Sequence, residues 1–455
     1  MSQRTLTWLV FFVLLSALAL HIQNLIVGRD SESLFREQDV YQRLRGIIRE
    51  RYVTEIDEAK SKKMFFGAMH GMTSSLDPHS QFFSPDEYEP FKIKTTGQLE
   101  GVGIEIDHSD TLGVFVLTPL QGTPAWKGGV LPGDRILKID GKPTKDMSQD
   151  EARNLIKGEP GTKVTLTLLH EGAPQPVNIT LTRDVIDIKS VPQAEILGPP
   201  WVSAGGPKIG YIQVVAFMEK TAADLDSALH QLEEQKMQAL ILDLRENPGG
   251  LLKSAVETAS LFLKDGPIVK VLGRNAGQEQ DYESHGEKTH PPYPMVILID
   301  SSSASASEIV AGALQDRGRA VLAGDRSYGK FSVQEVIQVP LAQWGEAALK
   351  LTTAKYKTPK GPCVDTQGLK PDYEVPSDTH GLIMDRLQRH LQDNNPSSSK
   401  PTQNVYDLFP EERENTAEGA AHPAGKEKPP EPFFDRQLQK AVEVLLLKLQ
   451  GAKAN

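Results

Sequence analysis

The sequence predicts a multidomain α+β protein whose largest part is a mostly parallel α/β sheet. Length is the first observation, because 455 residues exceed one ordinary domain and suggest about three units. Periodicity is the second: from residue 208 onwards, apolar strand-like runs alternate with helical stretches, and this alternation predicts parallel strands joined by crossover helices. The third is composition, since 39% hydrophobic residues can form packed cores.

The N-terminus has the pattern of an export segment. Arg4 precedes an apolar run from Leu6 to Leu20, and residues 17–19 (Ala-Leu-Ala) match the small-x-small pattern of a signal-peptide cleavage site. Apolar character resumes at 25–28, so an uncleaved membrane anchor stays an alternative to a cleaved signal peptide. Both interpretations of residues 1–28 predict an extracytoplasmic protein, either periplasmic or anchored in the inner membrane and facing the periplasm.

The rest of the chain divides into four regions by pattern. Residues 29–96 are predicted to be helical, because apolar residues recur at spacings of three and four. Residues 97–185 carry short alternating strands separated by Gly and Pro. Residues 186–376 contain the strand–helix alternation of the α/β part. Residues 377–455 are predicted to be a disordered linker followed by an amphipathic docking or oligomerisation helix.

Charge and cysteine content exclude two classes of protein. The net charge of −10 argues against nucleic-acid binding, which normally requires a basic face. The single cysteine, Cys363, excludes an intrachain disulfide and a cysteine-based zinc ribbon.

A serine-rich turn, SSSASASE at 301–308, lies between two apolar runs. Ser305 and Glu308 have the S-x-x-E spacing of a helix capping box, as do Ser148 and Glu151 in the 97–185 region. A serine at a strand-to-helix turn also lies beside free backbone N–H groups and the positive end of a helix dipole, which would stabilise an oxyanion. Spacing alone favours the capping role for Ser305 and leaves a nucleophilic role open.

A serine nucleophile would need a base at neutral pH. His79, His108 and His285 lie in no buried strand-end context, and no G-x-S-x-G elbow surrounds the serines, so a Ser-His-Asp triad is disfavoured. Lys330 lies in a strand-like apolar segment, where burial would favour its neutral, proton-accepting form. Gln334, four residues on, would share its side of a strand or helix and could hold the amine. An ordinary solvated Lys–Gln pair stays open.

Residues 303–334, SASASEIVAGALQDRGRAVLAGDRSYGKFSVQ, resemble the catalytic segment of the carboxyl-terminal processing peptidases, also called tail-specific proteases. LDPHSQFFSPDEY, ILDLRENPGGLL and LKLTTAKYKTP are similar to further segments of that family, and the likeness runs from about residue 35 to 375. The resemblance implies Ser305 as nucleophile, Lys330 as general base and Gln334 in support. It also implies a crotonase/Clp-protease-like α/β core, with no metal or organic cofactor.

The 97–185 region is similar to a PDZ domain. GQLEGVGIEI is followed by GTPAWKGGVLPGDRILKIDGKPT, which carries the P-G-D-x-I-x-x-I-D-G pattern. The resemblance implies a β-sandwich or barrel domain inserted between the N-terminal helices and the core. In such a domain the backbone N–H groups of Val102, Gly103 and Ile104 would bind a peptide carboxylate, and the peptide would add as a strand.

The turn NPGG at 247–250 ends a buried strand, and its ordinary role is a tight turn that needs positive φ. Family likeness implies that Gly250 donates one N–H of an oxyanion hole and Ala306 the other, with Gly249 as the competing donor. Two positions depart from the family pattern. Phe331 replaces the usual small residue after the lysine, and Lys157 stands where arginine is common, which alters any contact that needs a planar guanidinium.

These observations predict an exported serine endopeptidase that acts on proteins with apolar C-terminal tails. The partners expected besides substrate are a second copy of the chain through the terminal helices, an adaptor protein, and the membrane through the N-terminus, but no nucleic acid. A catalytically silent PDZ scaffold or adaptor is the alternative. A crotonase-like hydratase is disfavoured by the PDZ pattern and the export segment.

Overall fold

The computed structural model describes most of the chain. The described residues are 37–109, 112–170, 172–275, 277–286, 288–361, 367–395 and 433–454. The predicted export segment (1–28), Cys363 and most of the predicted linker lie outside them. The chain forms two compact units, Met1–Pro78 and His79–Asn455.

The described part of the first unit consists of two helices. Helix α1 spans residues 37–51, and α2 spans Glu58–Ser74. Asp57 caps α2, because its carboxylate accepts a hydrogen bond from the Lys60 N–H at 2.7 Å. Both helices lie within the region predicted to be helical.

The second unit opens with β1 (Gln81–Phe83), α3 (Pro85–Thr96) and β2 (Gln98–Gly101). Ser84 and Glu87 form a capping box at the start of α3.

A small antiparallel domain follows, in the segment with PDZ-like sequence. Its elements are β3 (Ile104–Ser109), β4 (Gly113–Pro119), α4 (Pro124–Lys127), β5 (Arg135–Ile139), β6 (Lys142–Pro143), α5 (Gln149–Ile156), β7 (Lys163–Leu169), β8 (Val177–Thr182) and β9 (Asp184–Asp187). The strands lie in the order β3-β4-β5-β7-β8, with β6 on β5, while β9 pairs with β2. A separate apolar core of this domain contains Val116, Ile136 and Leu166, none of which is exposed by more than 1%.

The remaining elements form the α/β core. They are β10 (Gln193–Ile196), β11 (Ile209–Gln213), α6 (Thr221–Glu234), β12 (Ala239–Asp243), α7 (Leu252–Ser260), β13 (Gly266–Gly273), β14 (Glu279–Ser284), β15 (Met295–Ile299), α8 (Ala306–Asp316), β16 (Val321–Gly324), β17 (Ser332–Leu341), β18 (Gly345–Lys357), β19 (Tyr373–Glu374), α9 (Thr379–Asp393) and α10 (Arg436–Ala454).

The central sheet has the order β10-β11-β12-β15-β16-β19. β11, β12, β15, β16 and β19 pair in parallel, and β10 adds an antiparallel edge. The predicted mostly parallel sheet is therefore confirmed. Strands β11, β12 and β15 are buried along their whole length, as expected of strands covered on both faces. Helices α6, α7 and α8 contribute to one apolar core and α10 to a second.

A second sheet was not anticipated from the sequence. It is antiparallel, with the order β1-β18-β13-β14 and β17 paired to β18. The β17–β18 hairpin follows directly after Lys330. This sheet joins residues far apart in the chain, such as Phe82 and Leu349, and local periodicity does not show such pairings.

The prediction of a disordered linker from residue 377 was wrong for α9. This helix packs on the PDZ-like domain, where Met384 and Leu391 form a cluster with Phe115 of β4. Apolar residues at 384, 387 and 391 recur at spacings of three and four, a pattern that the surrounding polar composition obscured. The predicted C-terminal helix is present as α10, and its apolar face packs against the central sheet. None of the described helices combines the length and apolar character needed to cross a bilayer.

Candidate active site

Ser305 lies on the turn between β15 and α8 in an unusual backbone conformation. Its φ is +55° and its ψ −111°, a region that a residue with a side chain adopts only at an energetic cost. Ser84 and Ser148 occupy the same position of S-x-x-E boxes, yet their φ values are −61° and −69°. Capping therefore does not account for the conformation of Ser305. Strained residues of this kind cluster at catalytic sites.

Glu308 ties this turn to the segment that carries Lys330. The side chain is buried, with 1% exposure. Its Oε2 accepts hydrogen bonds from the backbone N–H groups of Ser305 at 2.8 Å and Lys330 at 2.9 Å. Its Oε1 accepts from the Ser327 hydroxyl and the Gly329 N–H, both at 2.6 Å. Since one oxygen binds both backbone nitrogens, the Ser305 and Lys330 nitrogens lie no more than 5.7 Å apart.

Burial raises the pKa of the Glu308 carboxyl, and its four donors oppose that shift. The S-x-x-E spacing indicates only the capping role of Glu308. Its burial and its bonds to residues 327–330 depend on packing between α8 and the segment before β17, which spacing does not show.

Tyr356 of β18 supports the same two residues from the other side. It is 1% exposed, and its hydroxyl hydrogen-bonds to the carbonyl oxygens of Lys330 and Ser305, the latter at 3.2 Å. Its N–H donates to the Phe331 carbonyl at 2.9 Å. The Phe331 ring, the first departure from the family pattern, is half-buried against the main core and has the Lys355 amine 5.2 Å from its centroid. Phe331 therefore packs against the core, with part of its surface still exposed.

Gln334 lies on β17, and its amide nitrogen donates to the hydroxyl groups of Ser332 at 2.8 Å and Thr352 at 3.1 Å. An interval of four places Lys330 and Gln334 on one side only if both lie in one regular element. In the structure Lys330 precedes β17, and a bulge shifts the register between Val333 and Gln334. The interval of four therefore does not by itself place the two side chains on one face.

The NPGG turn packs against the serine turn. The Asn247 carbonyl accepts hydrogen bonds from the Ala304 N–H at 3.1 Å and the Ser307 hydroxyl at 2.9 Å, and so holds the residues close to Ser305 on each side. The Asn247 amide nitrogen donates to the Val214 carbonyl at 2.7 Å. Both turns follow adjacent parallel strands, β12 and β15, at the carboxyl edge of the sheet.

Gly249 makes the close approach between the two turns. Its φ is +97°, and a Cβ there would lie 2.6 Å from the Ala304 oxygen and 2.9 Å from the Ser305 Cβ. No side chain fits at this position. The Gly249 N–H is already used, because it donates to the Asn247 side-chain oxygen at 2.9 Å.

Gly250 likewise has no room for a side chain, because a Cβ there would overlap the Phe217 carbonyl oxygen, but its N–H differs from that of Gly249. The residue is exposed, and its bridge to Phe217 uses the Gly249 carbonyl and the Leu251 N–H. In the described part of the chain, neither the Gly250 N–H nor the Ala306 N–H has a hydrogen-bond acceptor. Two backbone donors therefore remain available, one on each turn.

A pair of carboxyl groups lies beside the NPGG turn. Glu246 has a φ of +59°, and its N–H lies 3.1 Å from both carboxylate oxygens of the buried Asp300. Burial, with the neighbouring Asp300, raises the pKa of the Glu246 carboxyl to about 7. No sequence motif indicates this pair, because its members lie 54 residues apart.

A buried ion cluster fixes the end of β12 to the C-terminal helices. Arg245 is 2% exposed and pairs with Asp243 and Asp435, each at 2.7 Å, while Arg386 of α9 reaches Asp243 at 2.6 Å. Burial alone would raise the pKa of Asp243, but the two guanidinium groups hold it well below the usual range. The sequence indicates this cluster through the charged residues of Asp243-Leu244-Arg245, which end an otherwise apolar strand.

The predicted peptide-binding turn lies at the start of β3. Val102 and Gly103 are buried, and their carbonyl groups accept hydrogen bonds from Ala125 and Leu120, each at 2.9 Å. No acceptor for the N–H of Val102 or of Gly103 occurs among the residues described. Ile104 begins β3, an edge strand that pairs only with β4 in the described structure.

The second departure, Lys157, directly follows α5. Its amine lies 3.5 Å from the Glu89 carboxylate of α3. Because both side chains are partly exposed, this pair contributes little to stability.

Known proteins match both parts of this architecture. Residues 208–375 match the family described as Peptidase family S41, and residues 115–169 match a PDZ domain. The carboxy-terminal-processing protease of Bartonella bacilliformis is 38% identical over 362 residues, which cover 77% of this chain and 79% of that protein. A carboxyl-terminal-processing protease of Synechocystis sp. is 37% identical over 331 residues, which cover 72% of this chain and 74% of that protein.

A third relative, the carboxy-terminal processing protease CtpA of Bacillus subtilis, is 31% identical over 371 residues, covering 81% of this chain and 76% of its own. The crotonase/Clp-protease-like core with a PDZ domain agrees with these matches. The chain belongs to the carboxy-terminal processing proteases of peptidase family S41, and it is a serine-type peptidase with a PDZ domain.

Proposed function

We propose that the chain is an exported endopeptidase that recognises C-terminal tails of proteins through its PDZ domain and cuts them with a Ser305–Lys330 dyad. The observation that carries this proposal is the strained Ser305 turn, whose backbone N–H shares a buried Glu308 oxygen with that of Lys330. Structural capping does not need that strain, whereas a nucleophile presented on a sharp strand-to-helix turn does.

In the proposed reaction the Ser305 hydroxyl attacks the scissile carbonyl while the neutral Lys330 amine takes its proton. The N–H groups of Gly250 and Ala306 stabilise the oxyanion that forms. Lys330 then gives the proton to the leaving amine, and a water molecule, with Lys330 again as base, hydrolyses the acyl-enzyme. The free N–H of Gly250 favours it over Gly249, whose N–H already binds Asn247.

Gln334 is proposed to hold the Lys330 amine. Because Ser332 and Thr352 hold the Gln334 amide nitrogen, its amide oxygen is the atom that can accept a hydrogen bond from the lysine. This arrangement would orient the base without placing a negative charge beside it.

The PDZ domain is proposed to bind the tail carboxylate through the N–H groups of Val102, Gly103 and Ile104, with an apolar peptide added as a strand along β3. The Gln149 amide of α5 now donates to the Ile106 carbonyl of that strand at 2.7 Å. A bound peptide would replace this hydrogen bond. Amidating the peptide carboxylate should therefore weaken binding at least about tenfold, because the donors would lose their charged acceptor.

Export, through residues 1–28, belongs to the same proposal and would place the enzyme in the periplasm or on its membrane. Self-association is proposed through α1, which exposes Val40, Leu44 and Ile47 at helical spacing by more than half of their surface. The apolar face of α10 is already used within the chain, so it offers less for that purpose. Recruitment of an adaptor protein belongs to the same proposal.

The test is cleavage of an unfolded protein that ends in an apolar tail, using the full chain purified in mild detergent. Wild type should cleave, Ser305→Ala and Lys330→Ala should not, and Ser301→Ala on the exposed part of the same turn should retain activity. If wild type binds the tail but never cuts it, the chain is a peptide-binding scaffold, and Phe331→Gly tests whether the ring blocks the site.

A further inference from the structure

Three metal-binding side chains meet outside the catalytic region. Asp226 and His230 lie one turn apart on α6, and His290 comes from the segment that leads into β15. One donor atom from each lies within 4.8 Å of the others. The family resemblance implied no metal, and the sequence contains no local sign of this group, since His290 is 60 residues from His230.

The donor spacing suits a small divalent cation. The Asp226 Oδ1 lies 3.0 Å from the His290 Nε2 and 3.2 Å from the His230 Nδ1. Ligands bound tetrahedrally to zinc at 2.0–2.1 Å are about 3.3 Å apart. Two of the three donor separations therefore already match zinc coordination.

Glu233 orients the buried member of the group. The His290 side chain is 3% exposed, and its Nδ1 lies 2.8 Å from the Glu233 Oε1. A proton held on Nδ1 by that carboxylate leaves the Nε2 lone pair directed at Asp226. This carboxylate–histidine arrangement is the one that supports metal-binding histidines in proteins.

The surroundings are negatively charged. The Asp226 and Glu233 carboxylates both contact the buried His290 ring, at 3.0 and 2.8 Å. Two negative charges beside one imidazole would attract a divalent cation.

We propose that Asp226, His230 and His290 bind a divalent transition-metal ion of the zinc class, with water in the fourth position. On binding, the exposed His230 ring gives up its hydrogen bond to the Asp226 carbonyl, which is 2.8 Å away. The ion would tie α6 to the segment before β15, which is anchored by the His290 N–H on the Leu261 carbonyl at 2.9 Å. The site is structural and independent of the proposed Ser305 chemistry.

The alternative is an imidazolium at His290 that bridges Asp226 and Glu233 with no metal. Calorimetric titration with zinc chloride, on the tag-free full chain in detergent, distinguishes the two. We expect one zinc ion per chain, and affinity at least about tenfold weaker in His230→Ala and in Glu233→Gln. His285→Ala, an exposed histidine five positions before His290, is the matched control and should bind as wild type does.

Thermal unfolding supplies a second readout that does not depend on activity. Zinc should raise the melting temperature of wild type and of His285→Ala, chelation should reverse the rise, and His230→Ala should show none. His230 is 65% exposed, so its removal leaves the fold intact. Failure of wild type to bind zinc, or equal binding by wild type and His230→Ala, would overturn the proposal in favour of the metal-free ion pair.

Discussion

The Ser148 turn of the PDZ domain and the Ser305 turn of the peptidase core share one sequence signature and differ in almost every physical respect. Each serine is followed three residues later by a glutamate whose side chain accepts its backbone N–H at 2.8 Å. Ser148 has an ordinary φ of −69° and an exposed glutamate, whereas Ser305 has a φ of +55° and a buried one.

The difference shows what capping alone requires. Among the described residues the Glu151 carboxylate accepts hydrogen bonds from Ser148 alone, at its own helix start, and these bonds lower its pKa. Glu308 also accepts three donors from residues 327–330, and burial raises its pKa. A capping box satisfies local N–H groups, while the Ser305 turn uses the same bonds to bring a distant lysine segment beside a strained serine.

The largest expected contrast is in catalysis. Ser305→Ala should lower peptide cleavage by at least about a thousandfold, because the nucleophile is lost. Ser148→Ala should leave the cleavage rate unchanged and reduce the free energy of unfolding by about 1 kcal/mol, the usual cost of a lost cap. Initial rates and denaturant unfolding on both variants check this. Equal loss of cleavage in both would remove the distinction between the turns.

Gly249→Ala tests the close approach between the NPGG turn and the Ser305 turn. The added methyl group would overlap the Ala304 oxygen and the Ser305 Cβ, so we expect cleavage to fall about a hundredfold through displacement of the nucleophile. Gly141→Ala is the matched control in the PDZ domain, with a φ of +78° and nothing within 4 Å. It should cost about 1 kcal/mol of stability and no activity. If Gly249→Ala cleaves as fast as wild type, the close contact of Gly249 with the Ser305 turn is not needed for activity.

Replacing each glutamate by glutamine compares how much Glu308 and Glu151 contribute to stability, and Glu308→Gln should have the larger effect. The amide cannot accept all four donors, so the free energy of unfolding should fall by about 2–3 kcal/mol, and cleavage should fall with it. Glu151→Gln, on an exposed helix start, should give a much smaller change in stability and none in cleavage. Denaturant titrations provide the comparison. If the two glutamine variants lose equal stability, the buried hydrogen bonds of Glu308 contribute no more to stability than an exposed helix cap.

The smallest effect is the pH dependence, and its sign should differ between the turns. With the pKa of Glu308 above 4.5, the folded state holds more protons than the unfolded state, so its contribution to stability falls as pH rises above 4.5. With the pKa of Glu151 below 4.5, its contribution is present above 4.5 and lost as pH falls. Unfolding free energies of wild type minus each glutamine variant, between about pH 3 and 7, should slope in opposite directions. Slopes of the same sign would refute the pKa assignment.

The sequence was informative wherever a function depends on contiguous residues. SASASE and NPGG each lie on one turn, and the P-G-D pattern runs from a turn through β5, so the family and the candidate residues could be predicted from them. The parallel sheet could be predicted from the alternation of strand-like and helical stretches. The roles of Glu308 and Tyr356 in holding the Ser305 and Lys330 segments together could not be predicted. They depend on hydrogen bonds between residues 19 to 51 positions apart in the chain. The second sheet and the position of α9 on the PDZ domain likewise depend on long-range packing.

Gln334 shows the limit of spacing arguments. An interval of four suggested one shared face with Lys330, but the bulge at Val333/Gln334 breaks the alternation on which that inference relied. Its proposed role therefore depends on the atoms of the site and not on the interval.

The central claim is that Ser305 is a nucleophile activated by Lys330, and covalent labelling tests it most directly. The full chain would be treated with a serine-reactive acylating probe and the modified peptide mapped by mass spectrometry. The account predicts a single adduct on Ser305, none on Ser148, and loss of the adduct in Lys330→Ala. An adduct on another residue, or full labelling of Ser305 without Lys330, would contradict it.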